Sequence, residues 1–239
     1  MLYFDHVSKS FSEKTVLKDV SFSLQSKEIV GLIGESGSGK STIAEIVMGI
    51  QHPTSGQVIW AEKATCQYVY QNPERSFNPF WTIEESLLEP FVLKKMERTE
   101  AIKQVHRLLE KVELPVRLLQ HFPYECSGGQ KQRAAIARAL SCSPNLLIAD
   151  EITSALDPDT EVTIIELLKS LQEEEQMSIL YITHRILSMD QFADRLLVLR
   201  DGIIVEENKT SAVLQQPSHA YTQSLIDACT YFERKGVKQ

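Results

Sequence analysis

The sequence predicts an α/β fold, a mainly parallel sheet interrupted by a helical subdomain. Three observations carry this. Ile29-Val30-Gly31-Leu32-Ile33, Leu146-Leu147-Ile148-Ala149 and Ser178-Ile179-Leu180-Tyr181-Ile182 are short unbroken apolar runs, the pattern of strands buried on both faces. The first two lead into glycine-rich or acidic turns that are followed by helix-period sequence. Between them, residues 72–143 change character and read as mainly helical. With 239 residues, 43% of them hydrophobic, the chain can bury one sizeable core.

The elements follow in order. Tyr3 to Lys9 and Val20 to Leu24 read as strands ahead of the Ile29 run. Ser41 to Ile50 sets Ile43, Ile46, Val47 and Ile50 at helical spacing, and His52-Pro53-Thr54-Ser55-Gly56 is turn chemistry that stops the helix. Cys66 to Gln71 is a further strand. The polar stretch from Asn72 to Pro79 marks a boundary, so residues 1–71 and 144–239 form a core around the helical residues 72–143. Thr82-Ile83-Glu84-Glu85 has the form of a capping box, and Ile102, Val105, Leu108, Leu109 and Val112 make an apolar helix stripe. Asp157 is placed to cap a helix with Pro158 in its first turn. Leu196 to Arg200, Asp201-Gly202 and Ile203 to Glu206 form a hairpin, and Tyr221 to Gln239 a helix that frays.

Charge and composition exclude several classes. Lys and Arg number 25 against 32 Asp and Glu, a net charge of −7 that argues against a chain built to hold a nucleic-acid backbone. No apolar run approaches the roughly 18 residues of a membrane span, and Met1 to Ser10 lack a signal-peptide layout, so the expected compartment is the cytosol. Cys66, Cys126, Cys142 and Cys229 are scattered without a CxxC, which fits reduced thiols rather than zinc or a disulfide framework.

Three constellations carry chemistry. Gly34-Glu35-Ser36-Gly37-Ser38-Gly39-Lys40-Ser41 fits GxxxxGK[ST], after an apolar strand and at the start of a helix that continues with Thr42. Backbone amides around a phosphate need residues with no Cβ in the way, and the helix N-terminus adds its positive end. Lys40 reaches the β- and γ-phosphates and Ser41 ligates Mg²⁺ in such a loop. At average residue usage the four fixed positions recur by accident in on the order of one per cent of chains this long, and the strand and helix flanks narrow that further. Next, Asp150 and Glu151 end a buried strand, and alternation sends them to opposite sides. Asp150 can hold Mg²⁺ while Glu151 polarises the water that attacks the γ-phosphate. Ser127-Gly128-Gly129-Gln130 then opens a second helix and makes another anion-binding end, with no lysine of its own to complete a nucleotide site.

The order of these segments, with Ser154-Ala155-Leu156-Asp157 and His184 following, resembles the nucleotide-binding subunit of ABC (ATP-binding cassette) transporters over nearly the whole chain. The resemblance implies the ABC ATPase fold, a P-loop core with an N-terminal antiparallel β subdomain and an inserted helical subdomain. It implies ATP and Mg²⁺ as ligands, Phe11 stacking on adenine with Val16 beside it, and Gly34 through Thr42 around the phosphates. Gln71 takes the place of the glutamine that touches Mg²⁺ or the attacking water and reports to the membrane partner. Ser127 to Gln130 match the signature that completes the ATP site of the opposite subunit, Asp157 the aspartate at that dimer seam, and His184 the switch histidine on the γ-phosphate. Two positions depart from the family: Cys126 replaces the usual Leu before SGGQ, and Ile152 the usual Pro after the catalytic Glu.

Tyr70 through Pro79 and Pro217-Ser218-His219-Ala220-Tyr221-Thr222-Gln223-Ser224-Leu225 resemble the peptide, opine and nickel importer subfamily, and the single Cys229 after Tyr221 favours its nickel or metallophore branch over an iron–sulfur relative. That subfamily implies a second ATPase subunit, making a heterodimer, two transmembrane permease subunits, an extracytoplasmic solute-binding protein, and a place on the cytoplasmic side of the membrane. A soluble ABC ATPase acting on ribosomes or DNA shares the catalytic motifs and stays open as an alternative at this point.

Overall fold

The computed structural model describes residues 1–60 and 64–234. In chain order these form strands β1 (Leu2–Phe11), β2 (Lys14–Leu24) and β3 (Ile29–Ile33), helix α1 (Lys40–Val47), and strands β4 (Ser55–Trp60) and β5 (Cys66–Val69). Helices α2 (Ile83–Leu93), α3 (Arg98–Lys111) and α4 (Gly128–Leu140) come next, then β6 (Leu146–Asp150) and α5 (Pro158–Glu175). Strands β7 (Ser178–Thr183), β8 (Arg195–Arg200) and β9 (Ile203–Lys209) precede α6 (Thr210–Gln215) and α7 (Ala220–Arg234). The chain divides into two compact units, one from Met1–Ala64 and Ser178–Gln239, the other Thr65–Met177.

In the first unit β2, β1 and β4 make an antiparallel sheet in that order, with Phe4 and Phe22 stacked at 4.6 Å between ring centroids. Strand β3 is buried at all five residues and lies between β7 and β8, parallel to both, in the register Ile33↔Thr183 and Ile33↔Val198. Strand β9 closes antiparallel on β8 through the Asp201-Gly202 turn, both of whose residues have positive φ, the geometry that matches strand twist in a two-residue hairpin. Two expectations need correction here. Helix α1 stops at Val47 instead of Ile50, because Gly49 takes a left-handed conformation (φ 71°) and ends the turn; Ile50 is left 56% exposed. Residues from Ser55 onward, read as the end of a turn, begin β4, an edge strand on β1 with no buried residue and so no alternation to betray it.

The end of this unit is organised by a buried carboxylate. Glu206 on β9 accepts from the backbone N–H of Ser218 (2.8 Å) and of His219 (3.1 Å), fixing the chain where α7 begins. Burial pushes this carboxyl up, but the Ser218 amide, the Thr222 side chain, the His219 amide and the Ser218 side chain together hold it below the ordinary 4.5. A group depressed in the folded state stabilises above its unfolded pKa and loses that contribution as pH falls through the folded value. Glu206→Gln, with one acceptor oxygen for two donors, is therefore expected to lower Tm by about 2–4 °C at neutral pH. The gap to wild type should close as pH falls from above the ordinary 4.5 through the lowered value of the folded carboxyl. Thermal melts across that range check it. Residues 235–239 of the expected tail helix lie outside the described residues.

In the second unit β5 and β6 are parallel neighbours, Tyr68 opposite Ile148 and Val69 opposite Ala149. Strand β5 ends at Val69, two residues short of the expected Gln71, which leaves Gln71 on the loop that follows. Helix α2 starts on the Thr82/Glu85 capping box, and α3 on Glu97, whose carboxylate accepts from the amides of Thr99 and Glu100. The buried face of α4 is Ala134, Ala135, Ile136, Ala137, Ala139 and Leu140 around Gln132. Among the described residues, no helix is long and apolar enough to cross a membrane.

Candidate functional site

The loop from Gly34 to Lys40 leaves the buried end of β3 and turns into α1. Gly34 has no room for a side chain: a Cβ there would lie 2.3 Å from the Leu199 carbonyl oxygen and 2.8 Å from Ser38 Oγ. Gly37 is the opposite case, at φ 82° with nothing within 4 Å of its Cβ position, an open face on the loop. Gly39 caps α1 at φ 113° and offers no side-chain acceptor to the first amides of the helix. Lys40 is only 5% exposed, and its ammonium donates to the Gly34 carbonyl (2.7 Å) and the Glu35 carbonyl (2.9 Å). Ser38 Oγ is buried with no hydrogen-bond partner. An uncapped helix start, a buried cation, an orphaned hydroxyl and a face a Cβ would fill together suit a polyphosphate.

Around this loop the first unit sets other expected residues. Val16 runs alongside it, its carbonyl 3.3 Å from the Cβ position at Gly39. Phe11, at the tip of the β1–β2 hairpin, is 41% exposed, with the Lys9 ammonium 4.8 Å from its ring centroid. His184 follows β7, so it leaves the sheet at the same end as Gly34, the carboxyl end of parallel strands where ligands bind in such sheets. Tyr221 of α7 is 7% exposed; its hydroxyl accepts from the Glu35 N–H at 3.2 Å, and the Arg200 guanidinium lies 4.9 Å from its ring centroid. Tyr221, Arg200 and Glu35, with Ser36 to Ser38, line a cavity of about 400 Å³.

The second unit gathers the remaining polar set in two clusters. Asp150, 9% exposed at the end of β6, accepts from the Tyr68 hydroxyl of the neighbouring strand. Glu151 sits at φ 48°, a left-handed conformation costly for a residue with a Cβ, which turns the chain sharply at the end of β6. The Gln71 amide donates to the Glu151 carboxylate (3.3 Å) and to Ser154 Oγ (3.1 Å), so the loop after β5 and the turn after β6 converge. In the other cluster Ser127 caps α4, accepting from the Gln130 N–H while the Gln130 side chain accepts from the Ser127 N–H. Gly129 faces α5, where its Cβ would lie 3.0 Å from Thr160 Cγ2. Asp157 caps α5; the Thr160 hydroxyl and amide both donate to it and hold its pKa below the ordinary value.

Both departures from the family sequence are buried. Cys126 is 7% exposed with its thiol toward the Phe122 carbonyl, and burial raises its pKa; Ile152 is 1% exposed. Each works as an apolar filler beneath a polar segment. Tyr68 was not singled out by sequence, and Ser154 was named only as part of its motif, since their contacts depend on which strand lies beside β6 and on the turn that follows it.

Residues 17–154 match the family described as ABC transporter. A nickel import system ATP-binding protein, NikE of Staphylococcus aureus, is 35% identical over 234 residues, which cover 97% of this chain and 100% of that protein. A Brucella ovis protein named as a peptide import ATP-binding protein is 36% identical over 228 residues, 89% of this chain and 72% of that one. Among solved structures, the dimeric bacterial ABC transporter cassette MJ0796 superimposes with a TM-score of 0.78 at 32% identity, over 88% of this chain and 99% of that one. The same cassette bound to ADP and Pi gives 0.77. CbiO1 of Clostridium perfringens shares the fold, with a TM-score of 0.83 at 23% identity over 98% of both chains. The chain belongs to the ABC transporter family, as one of its ATP-binding cassettes.

Proposed function

We propose that this chain is the ATP-binding and ATP-hydrolysing subunit that powers an ABC importer for nickel, metal–metallophore complexes or oligopeptides. The observation that carries it is the phosphate loop: Lys40 buried beneath an uncapped helix start, in a chain alignable to import ATPases along nearly its whole length. Gly34 through Thr42 hold the phosphates, with Lys40 neutralising the β- and γ-oxygens, and Phe11 with Val16 receives the adenine. Ser41, Gln71 and Asp150 would supply the oxygen donors for Mg²⁺, which takes few protein ligands and otherwise water and phosphate. When bound, Mg²⁺ draws charge from the transferring phosphoryl group. Glu151 accepts the proton of the attacking water, Gln71 orients that carboxylate, and His184 donates to the γ-phosphate. Because hydrolysis is positioning plus electrostatics, each role asks only for a fixed polar atom.

The signature residues Ser127, Gly128, Gly129 and Gln130, with Asp157, serve the nucleotide of a second ATPase subunit, so the working enzyme is a pair, read here as a heterodimer. Two permease subunits and an extracytoplasmic binding protein complete the importer, with this chain peripheral on the cytoplasmic side. On the segment after Gln71, Phe80 is 85% exposed and Trp81 36%, an apolar contact for a permease. Co-expression with candidate permease subunits tests the reading. Binding of Mg²⁺-ATP and recovery of this chain with membranes only when the permeases are present is expected. Sedimentation with ribosomes or DNA, with no permease association, would overturn it.

A further inference from the structure

We propose that Tyr221 of α7 is a positioning residue for the phosphate loop, acting on Lys40 through a single peptide group; the proposal rests on the ATP-site reading above and extends it to a helix outside the nucleotide-binding motifs. The Gly34 carbonyl and the Glu35 N–H belong to one planar unit, and in a trans peptide they point in opposite directions. The Tyr221 hydroxyl accepts from that N–H at 3.2 Å, while that carbonyl accepts from the Lys40 ammonium at 2.7 Å. The peptide is held at both ends, so its rotation about the chain axis is stopped by Tyr221 on one side and transmitted to Lys40 on the other. The Glu35 carbonyl, also on Lys40 at 2.9 Å, accepts from the Ser38 N–H as well, and the hydroxyl of Tyr221 adds a hydrogen-bonded hold on this corner from outside the loop.

The tyrosine is itself fixed. It is 7% exposed, its own N–H donates to His219 Nδ1, and the Arg200 guanidinium stacks on its ring. The start of α7 is tied to β9 by Glu206 through the amides of Ser218 and His219. A chain of contacts thus runs from β9 through α7 to the corner of the loop. It gives the tail a mechanical task at the nucleotide: the ammonium stays aimed because a helix far along the sequence holds the peptide that carries its acceptor.

Tyr221→Phe isolates the hydroxyl, since the ring, its packing and the Arg200 contact remain. In the full chain it is expected to weaken a non-hydrolysable ATP analogue about fivefold, the value of one hydrogen bond. In the assembled transporter KM for ATP should rise by a similar factor with kcat within about twofold of wild type, a split that general loosening of the fold would not give. Hydrogen exchange of the Glu35 amide should accelerate, with Tm within about 2 °C of wild type. Tyr221→Ala, which also removes the ring, should weaken the analogue further. Analogue affinity within twofold of wild type and unchanged Glu35 exchange in Tyr221→Phe would overturn the proposal. Should the wild-type chain bind no nucleotide, the ATP reading falls, and Glu35 exchange alone then decides whether Tyr221 holds the loop.

Discussion

Glu151→Gln is expected to bind Mg²⁺-ATP as tightly as wild type and to hydrolyse it about 10²–10⁴ times more slowly at this chain's own phosphate loop, the usual range for losing a positioned proton acceptor. The substitution keeps size and hydrogen-bonding oxygen but removes the basic carboxylate. Binding should survive because the Gly34 and Glu35 carbonyls hold the Lys40 ammonium, and the substitution leaves that loop as it is. The φ of 48° at this residue adds to the argument. A backbone held in a sparsely populated region costs on the order of 1–3 kcal/mol, and it persists where the surroundings fix it. Here Ile152 is buried beneath it and Gln71 donates to its side chain. Site-resolved phosphate release in the assembled transporter is the measurement; turnover at the wild-type rate in the Glu151→Gln site would remove Glu151 from the role of base. Gln71→Ala should slow hydrolysis less, since it frees the carboxylate's orientation and leaves its basicity.

Local patterns made much of the fold legible. The apolar runs of β3, β6 and β7 are continuous because parallel strands are covered on both faces, and the capping residues Thr82, Ser127 and Asp157 announce their helices within four residues of sequence. Where the determinant is non-local, sequence reading fell short. Strand β4 exists because β1 offers it a partner, and none of its own residues is buried. The end of α1 was set by Gly49 taking a left-handed turn that the apolar spacing up to Ile50 hid. In the site, the motif residues could be named from spacing, because each motif packs its chemistry into a few consecutive positions. Tyr68 on Asp150, Ser154 on Gln71 and Tyr221 on Glu35 could not, since they meet across 82, 83 and 186 positions of chain.

Gly34→Ala is expected to damage both stability and nucleotide binding, and to do so through sterics instead of φ. The added methyl would stand 2.3 Å from the Leu199 carbonyl oxygen, where ordinary contacts begin at 3.4 Å, so something must move by about 1 Å. Leu199 is poorly placed to yield: it is fully buried and paired with Ile204 of β9, and the residues of β8 just before it are paired with β3. The loop moves instead, and its first carbonyl is the one that receives the Lys40 ammonium. Overpacking of this kind costs about 1–3 kcal/mol, which corresponds to a Tm lower by roughly 2–4 °C for each of those kcal/mol in a chain of this size. Binding should suffer more than folding, because a 1 Å misplacement of a positioning group can cost on the order of 10²-fold. Gly37→Ala provides the contrast. Nothing lies within 4 Å of its Cβ position, so its cost is the left-handed backbone alone, about 1–2 kcal/mol. The two variants should therefore show similar melting temperatures, while Gly34→Ala binds ATP at least about tenfold more weakly than Gly37→Ala. Equal affinities would mean that the loop absorbs the methyl without displacing Lys40, and that the close packing of Gly34 against β8 serves the strand and not the nucleotide.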